Sequence, residues 1–160
     1  MTDHPRAQDG RPRDQARDPA QDGRPQGIVS IRTIAMPADT NPSGDIFGGW
    51  LMSQMDMAGG THARLLAEGR VVTVAVDGFL FHRPVFVGDW LTCYSRHVKT
   101  GRTSLTIQVE AWALRAAGGA NEKVTEGTFV FVAIDAAGRA RPVPEGVEAR
   151  EAALARAGHP

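Results

Sequence analysis

Asp56 stands where a carboxylate is least expected. It lies inside Trp50-Leu51-Met52-Ser53-Gln54-Met55-Asp56-Met57-Ala58, a stretch whose apolar residues recur at helical spacing. Desolvating an ionised side chain there is costly unless something rewards it. Gly59 and Gly60 follow one turn on, and Ala63 one turn further. Each glycine inside a helix costs about 1 kcal/mol relative to alanine. Both oddities make sense together if small residues leave a groove through which a substrate reaches a base of tuned pKa. The same residues also have a purely structural reading: Asp56 partly exposed or bonded to backbone, with the glycines admitting another helix.

A second feature lies just upstream, in Gly44-Asp45-Ile46-Phe47-Gly48-Gly49. A glycine pair at a helix start leaves backbone N–H groups free to meet a developing oxyanion, aided by the positive end of the helix dipole. The structural alternative is Asp45 as N-cap, with glycines for close packing. Gly48 and Asp56 are eight residues apart, roughly 12 Å along a helix axis. That is too far for both to act on one carbonyl. Two antiparallel copies of the helix would bring Gly48 of one chain near Asp56 of the other, so pairing them requires a dimer.

The elements that hold these groups follow from periodicity. Ile28 to Ala35 reads as a strand ended by Met36-Pro37, and Ala38 to Asp45 as a loop of turn formers. From Phe47 to Glu68 the spacing is helical, with Phe47, Leu51, Met55, Ala58, His62 and Leu65 as a core-facing stripe. Trp50 and Met57 lie off that stripe, so the helix is expected to be buried on several sides, with Gly69 ending it. Strand signals then dominate: Val71 to Phe81, Trp90 to Val98, Thr103 to Trp112 and Val124 to Ile134. Thr103 to Trp112 alternates cleanly, and Lys99 to Arg102 makes a hairpin turn. One long helix and a meander of strands predict an α+β fold, a curved antiparallel sheet of about five strands around one central helix.

Composition narrows the remaining possibilities. The 160 residues carry 18 basic and 18 acidic side chains, so the electrostatic case for nucleic acid is missing. One cysteine forms no internal disulfide, no run approaches a membrane span, and the N-terminus lacks a signal peptide's apolar stretch. The expectation is a soluble, cytoplasmic protein with one folded domain. Residues 1–27 contain no Val, Ile, Leu, Phe, Tyr or Trp, but five Arg, five Asp and four of the ten prolines. Such a segment cannot offset the entropy of ordering its backbone and reads as a disordered tail. Within it Ala7-Gln8-Asp9-Gly10-Arg11-Pro12 returns as residues 20–25, a repeat too short and polar for a solenoid. The domain is expected over 28–144, and 145–160 as a C-terminal tail able to form a weak helix.

Read together, several segments resemble the YciA-like acyl-CoA thioesterases of the hotdog-fold superfamily. They are Thr33 to Pro37, Asn41 to Asp56, Arg70-Val71-Val72-Thr73-Val74, Arg83-Pro84-Val85-Phe86-Val87-Gly88-Asp89, Gly101-Arg102-Thr103-Ser104 and Phe131-Val132-Ala133-Ile134-Asp135. The resemblance covers about Ile31 to Pro144. It implies a hotdog fold and dimers with two active sites at the interface, commonly assembled as trimers of dimers. It also implies hydrolysis of acyl-CoA to a free acid and coenzyme A, without metal or redox cofactor. Asp56 matches the helix carboxylate that serves as general base or nucleophile, Gly48 the glycine whose N–H polarises the thioester, and Asn41 the loop residue that orients water or thioester. Asp45, Gly49, Gly60 and Thr61 fall where the family lines its site. Many hotdog thioesterases carry His before the glycine pair; the YciA-like branch shares Phe47.

Coenzyme A carries phosphates, so basic groups should lie near the mouth of the site. Arg83, Arg102 and Arg70 are candidates, with Thr103 and Ser104 as donors; each arginine read singly is equally a solvated surface residue. Cys93 alternates with polar neighbours and reads as a packed small hydrophobe. His62 reads as a buried, satisfied imidazole, and His82 could face either way. A hydratase or dehydratase would want a His–Asp pair that the motif lacks. A non-catalytic acyl-CoA sensor would lack the carboxylate and carry a partner domain.

Overall fold

A computed structural model describes residues 23–157; most of the polar tail and its repeat lie outside the described residues. Strand β1 (Ile28–Ile34) is followed by a 3-10 turn at Pro37–Asp39 and helix α1 (Gly48–Leu66). Four strands come next, β2 (Val71–Phe81), β3 (Trp90–Thr100), β4 (Ser104–Leu114) and β5 (Asn121–Ala133), and then helix α2 (Val147–Ala157). The strands form one antiparallel sheet in the order β1-β3-β4-β5-β2. Helix α1 packs against all five strands, which is the α+β arrangement that the periodicity predicts. β5 begins at Asn121 rather than Val124, because Asn121, Glu122 and Lys123 pair with Leu114, Ala113 and Trp112 and prolong the β4–β5 hairpin.

The alternation of β4 translates directly into burial. Leu105, Ile107, Val109 and Ala111 are buried beneath α1 together with Phe129 and Phe131 of β5. From α1 come Leu51, Met55, Ala58, Ala63 and Leu66. The expected stripe holds in its middle and slips at its ends: Phe47 and Leu65 are exposed, and Leu66 takes the buried place. Met52 and Met57 are exposed as well, so a single chain leaves one side of the apolar helix open. The outer face of the sheet is less regular. Glu110 is buried there, but it accepts hydrogen bonds from Trp112 Nε1 at 2.8 Å and Lys123 Nζ at 3.2 Å, which satisfy its charge.

Two strands, β1 and β2, form the sheet edges. β2 is the apolar one: Val72, Val74, Val76, Leu80 and Phe81 are all exposed along it. An exposed apolar strand with a free ladder edge is a template for pairing with another chain.

The C-terminal segment completes α1. A helix leaves its last carbonyls without partners, and the turn here runs through Glu68, in the left-handed region at φ 49°, before Gly69. Arg141 reaches Ala67 O at 2.7 Å and Arg150 reaches Leu66 O at 2.9 Å, supplying donors from far along the chain. α2 is locked to α1 by a second contact. His62, buried, meets Ser95 Oγ through Nδ1 at 2.8 Å and the Glu151 carboxylate through Nε2. Glu151 also accepts the His97 backbone N–H at 3.2 Å.

Burial alone would raise the Glu151 carboxyl, but the bond and charge of His62 and the contacts from His97 bring it below the ordinary carboxylate range. A depressed carboxyl stabilises the fold above its unfolded pKa and loses that contribution as pH falls through the folded value. Urea unfolding from about pH 6 to 3 should therefore show a shallower acid loss for Glu151→Gln than for the parent protein, with the gap closing below about pH 4.

Candidate active site

The loop before α1 is built by Asn41. Its Oδ1 accepts the N–H groups of Ser43 at 2.9 Å and Asp45 at 3.1 Å, and its own N–H donates to Asp45 O at 2.7 Å. Gly44, at φ +89°, turns the chain between them. Ile46 N–H then bonds Val85 O, and Phe47 N–H bonds Asp39 O. The helix begins at Gly48 with Phe47 as N-cap and no side chain capping it. Asp45 is therefore not the cap; it is exposed on the loop. As the first residues of the helix, Gly48 and Gly49 carry N–H groups with no carbonyl four residues back inside it.

Gly48 opens into a cavity of about 300 Å³ walled by Phe81, His82, Arg83, Pro84 and Val85. The Phe81 ring lies 3.4 Å from where a Gly48 Cβ would stand. Arg83 pairs with Glu122 at 3.1 Å and His82 with Glu126 at 3.1 Å, so His82 turns toward the outer ion pairs.

Asp56 occupies a different and larger cavity, about 520 Å³, between α1 and the start of β2. It is half-buried. The Thr73 hydroxyl donates to Asp56 Oδ1 at 2.6 Å, fixing one carboxylate oxygen and leaving the other to the cavity. Gly60 and Thr61 line the same space, over a floor formed by Phe131. Arg64 and Arg70 stand around it, and Arg70 also bonds the carbonyls of Asp135 and Ala136 at 3.4 Å. A carboxylate with one oxygen held and one open, beside two cations and an apolar floor, can take a proton next to a bound anion.

The structure divides the residues singled out from sequence. Asp56, Gly60, Thr61 and Arg70 share one cavity; Gly48 and Arg83 share the other. Asp45, Gly49, Arg102, Thr103 and Ser104 line neither in one chain. The last three shape the β3–β4 turn, where Arg102 O accepts Val143 N–H and Thr103 O accepts Ala133 N–H. Thr73 and Arg64 were not picked out by spacing. Arg64 had a signal, since Asp56, Gly60 and Arg64 are four residues apart on one helix face. Thr73 had none, because only the seating of β2 against α1 brings it there.

The paired glycines have different causes. A Cβ at Gly59 would stand 3.0 Å from the Phe131 ring and 3.2 Å from Val109, tighter than ordinary contact, so close packing favours glycine there. At Gly60 the nearest atom is Phe131 at 3.5 Å, an ordinary contact, and the missing side chain is cavity space. Cys93 is buried, and burial pushes its thiol up to about 12, which leaves it a neutral packing group. Among the described residues no group of three or more His, Cys, Asp or Glu side chains is placed to hold a metal ion.

The family model of the thioesterase superfamily matches residues 43–118, a span that contains Gly48, Asp56 and Thr73. The acyl-CoA thioester hydrolase YciA of Salmonella typhimurium is 54% identical over 126 residues, covering 77% of this chain and 95% of the relative. The chain belongs to the YciA-type acyl-CoA thioester hydrolases. Solved structures agree. The hexameric broad specificity acyl-coenzyme A thioesterase HI0827 aligns with a TM-score of 0.76 and 48% identity, over 82% of this chain and 92% of that one. The hexameric thioesterase y2039 from Yersinia pestis aligns with a TM-score of 0.74 and 53% identity, over 76% and 99%. The YciA-type fold is thus the hotdog arrangement expected from the sequence, and no helix among the described residues is long and apolar enough to cross a membrane.

The contrast between the glycines is measurable by urea unfolding. Gly59→Val should destabilise by about 1–3 kcal/mol through overpacking. Gly60→Ala should gain up to about 1 kcal/mol of helix propensity.

Proposed function

We propose that this protein hydrolyses acyl-CoA thioesters to a free carboxylic acid and coenzyme A, at sites shared between two chains. The observation that carries the reading is the Asp56 carboxylate, held by Thr73 through one oxygen and open through the other, in a cavity flanked by Arg64 and Arg70. The solved relatives named above are acyl-coenzyme A thioesterases and hexameric, which three dimers of this chain would make.

In this reading, β2 pairs with β2 of a second copy, covering the apolar row Val72, Val74, Val76, Leu80 and Phe81. The Asp56 cavity of one chain then faces the Gly48 cavity of its partner. The thioester carbonyl receives a hydrogen bond from the Gly48 N–H, at the positive end of α1. The free Oδ2 of Asp56 takes a proton from a water molecule as its oxygen attacks the carbonyl carbon. The tetrahedral intermediate collapses, the C–S bond breaks with its electrons going to sulfur, and the proton passes from Asp56 to the thiolate. Thioesters are activated toward attack, so water, one carboxylate and one donor form a sufficient set, and neither metal nor redox cofactor enters; coenzyme A arrives as part of the substrate. Arg64, Arg70 and Arg83 offer guanidinium groups to its phosphates. Asn41 shapes the loop that sets the start of α1.

Thiol release from acyl-CoAs of increasing chain length tests the proposal. Asp56→Ala should lower turnover at least about a hundredfold, the contribution of a general base. Mixing inactive Asp56→Ala with inactive Gly48→Val should restore activity in hybrid dimers, because one of the two sites is then intact. An active Asp56→Ala protein would refute the base, and hybrids that stay inactive would refute the shared site.

A further inference from the structure

Four charged side chains form a single line from Asp89, buried just before β3, to the Gly48 cavity. Asp89 lies deepest, with its side chain 3% exposed; Arg115, just after β4, is 20% exposed; Glu122 of β5 is 32% exposed; Arg83, on the cavity wall, is 58% exposed. Charge alternates along the line. Arg115 Nη1 meets Asp89 at 2.6 Å, Arg115 Nη2 and Nε meet Glu122 Oε2 at 2.9 and 3.3 Å, and Arg83 Nη1 meets the other oxygen, Oε1, at 3.1 Å.

The inner members are held firmly. Asp89 also accepts the N–H groups of Phe86 at 3.0 Å and Ala116 at 3.3 Å. Arg115 Nη1 additionally donates to Pro84 O at 3.0 Å, and its guanidinium lies 5.4 Å from the centroid of the Phe86 ring. Arg115 therefore fixes residues 84–89 and Glu122 at once. Arg83 is different: one nitrogen touches Glu122, and the side chain, which lines the cavity, is otherwise largely exposed. A long side chain loses appreciable rotamer entropy when it is ordered. A carboxylate that is itself braced can bear that cost before any ligand arrives, and preorganised groups bind more tightly.

We propose that Arg115 and Glu122 are positioning residues for substrate: they hold the Arg83 guanidinium at the Gly48 cavity, where it receives a phosphate of coenzyme A. The inference rests on the hydrolase reading above, in which Arg83 meets a phosphate, and adds to it the two residues that aim Arg83. With Asp89 counted the line is neutral overall, and Arg83 is its cationic end, the member that meets the cavity.

The test compares an acyl-CoA with the pantetheine thioester of the same acyl group, which lacks the nucleotide phosphates. Glu122→Gln should raise KM for acyl-CoA about tenfold, the scale of a hydrogen bond to a charged group. It should leave kcat for both substrates, and KM for the pantetheine thioester, unchanged. Arg115→Lys keeps a cation beside Asp89 but loses the fork, and should raise the acyl-CoA KM in the same selective way. Equal losses on both substrates, or a fall in kcat, would mean that these residues only support the fold, and would overturn the inference. A lower acyl-CoA KM in Glu122→Gln would overturn it too, by showing Glu122 to compete with the phosphate. Arg83→Ala separates the levels. If it raises the acyl-CoA KM while Glu122→Gln does not, Arg83 binds phosphate unaided and the positioning claim fails. If it changes nothing while the parent enzyme still hydrolyses acyl-CoA, the Arg83 assignment fails and the hydrolase reading stands.

Discussion

An ionised carboxylate on an apolar helix has to be given donors without being sealed from water, and the fold is arranged around that constraint. α1 cannot be wrapped completely, because the side that carries Asp56 must stay open. The five-stranded sheet buries Leu51, Met55, Ala58, Ala63 and Leu66 and leaves Met52 and Met57 uncovered. Thr73, the third residue of β2, supplies the donor. That threonine stands on the last strand of the sheet, next to β5, and Ile31 of β1, from the other edge, reaches the same cavity. The strand that holds the carboxylate is therefore also the one that carries the exposed apolar edge.

Much of this was legible in the residues themselves. Asp56 announced itself by breaking an apolar pattern, and β4 by a period of two that its burial reproduces. The eight-residue gap between Gly48 and Asp56 already separated the two groups, and the structure places them in cavities that share no lining residue. What stayed hidden depends on register. β2 carries irregularities between Thr73 and Ala75 and between Asp77 and Leu80, so counting along the strand does not reveal which side chain meets α1. Glu151 and Glu122 lie in segments without periodic signal of their own, yet each receives a partner from elsewhere in the fold. The glycine pair shows the opposite difficulty. One composition signal covered two causes, close packing at Gly59 and open space at Gly60.

The two buried polar systems divide the labour. His62, Ser95 and Glu151 join α1, β3 and α2, with every member hydrogen-bonded. Asp89, Arg115 and Glu122 join the loops at the opposite end of β3. Half-satisfied networks of this kind are worse than an apolar core, whereas complete ones specify a unique arrangement. Both lie beside the apolar core that α1 forms with the sheet, so the loops are tied to it at each end.

The capping of α1 by Arg141 and Arg150 has a bearing on the order of events during synthesis. The helix lies in the first half of the chain, but the side chains that close its final carbonyls are 74 and 84 residues further on. A ribosome emits the chain from its N-terminus, and domains generally fold as units. Here the unit is not finished until Arg141 and Arg150 have appeared. Contacts of such long range are slow to form because their loops must close first. While the polypeptide is still emerging, its central helix and apolar strand edge exist in a chain that lacks the two arginines, so α1 gains its last donors only after all five strands of the sheet have been made.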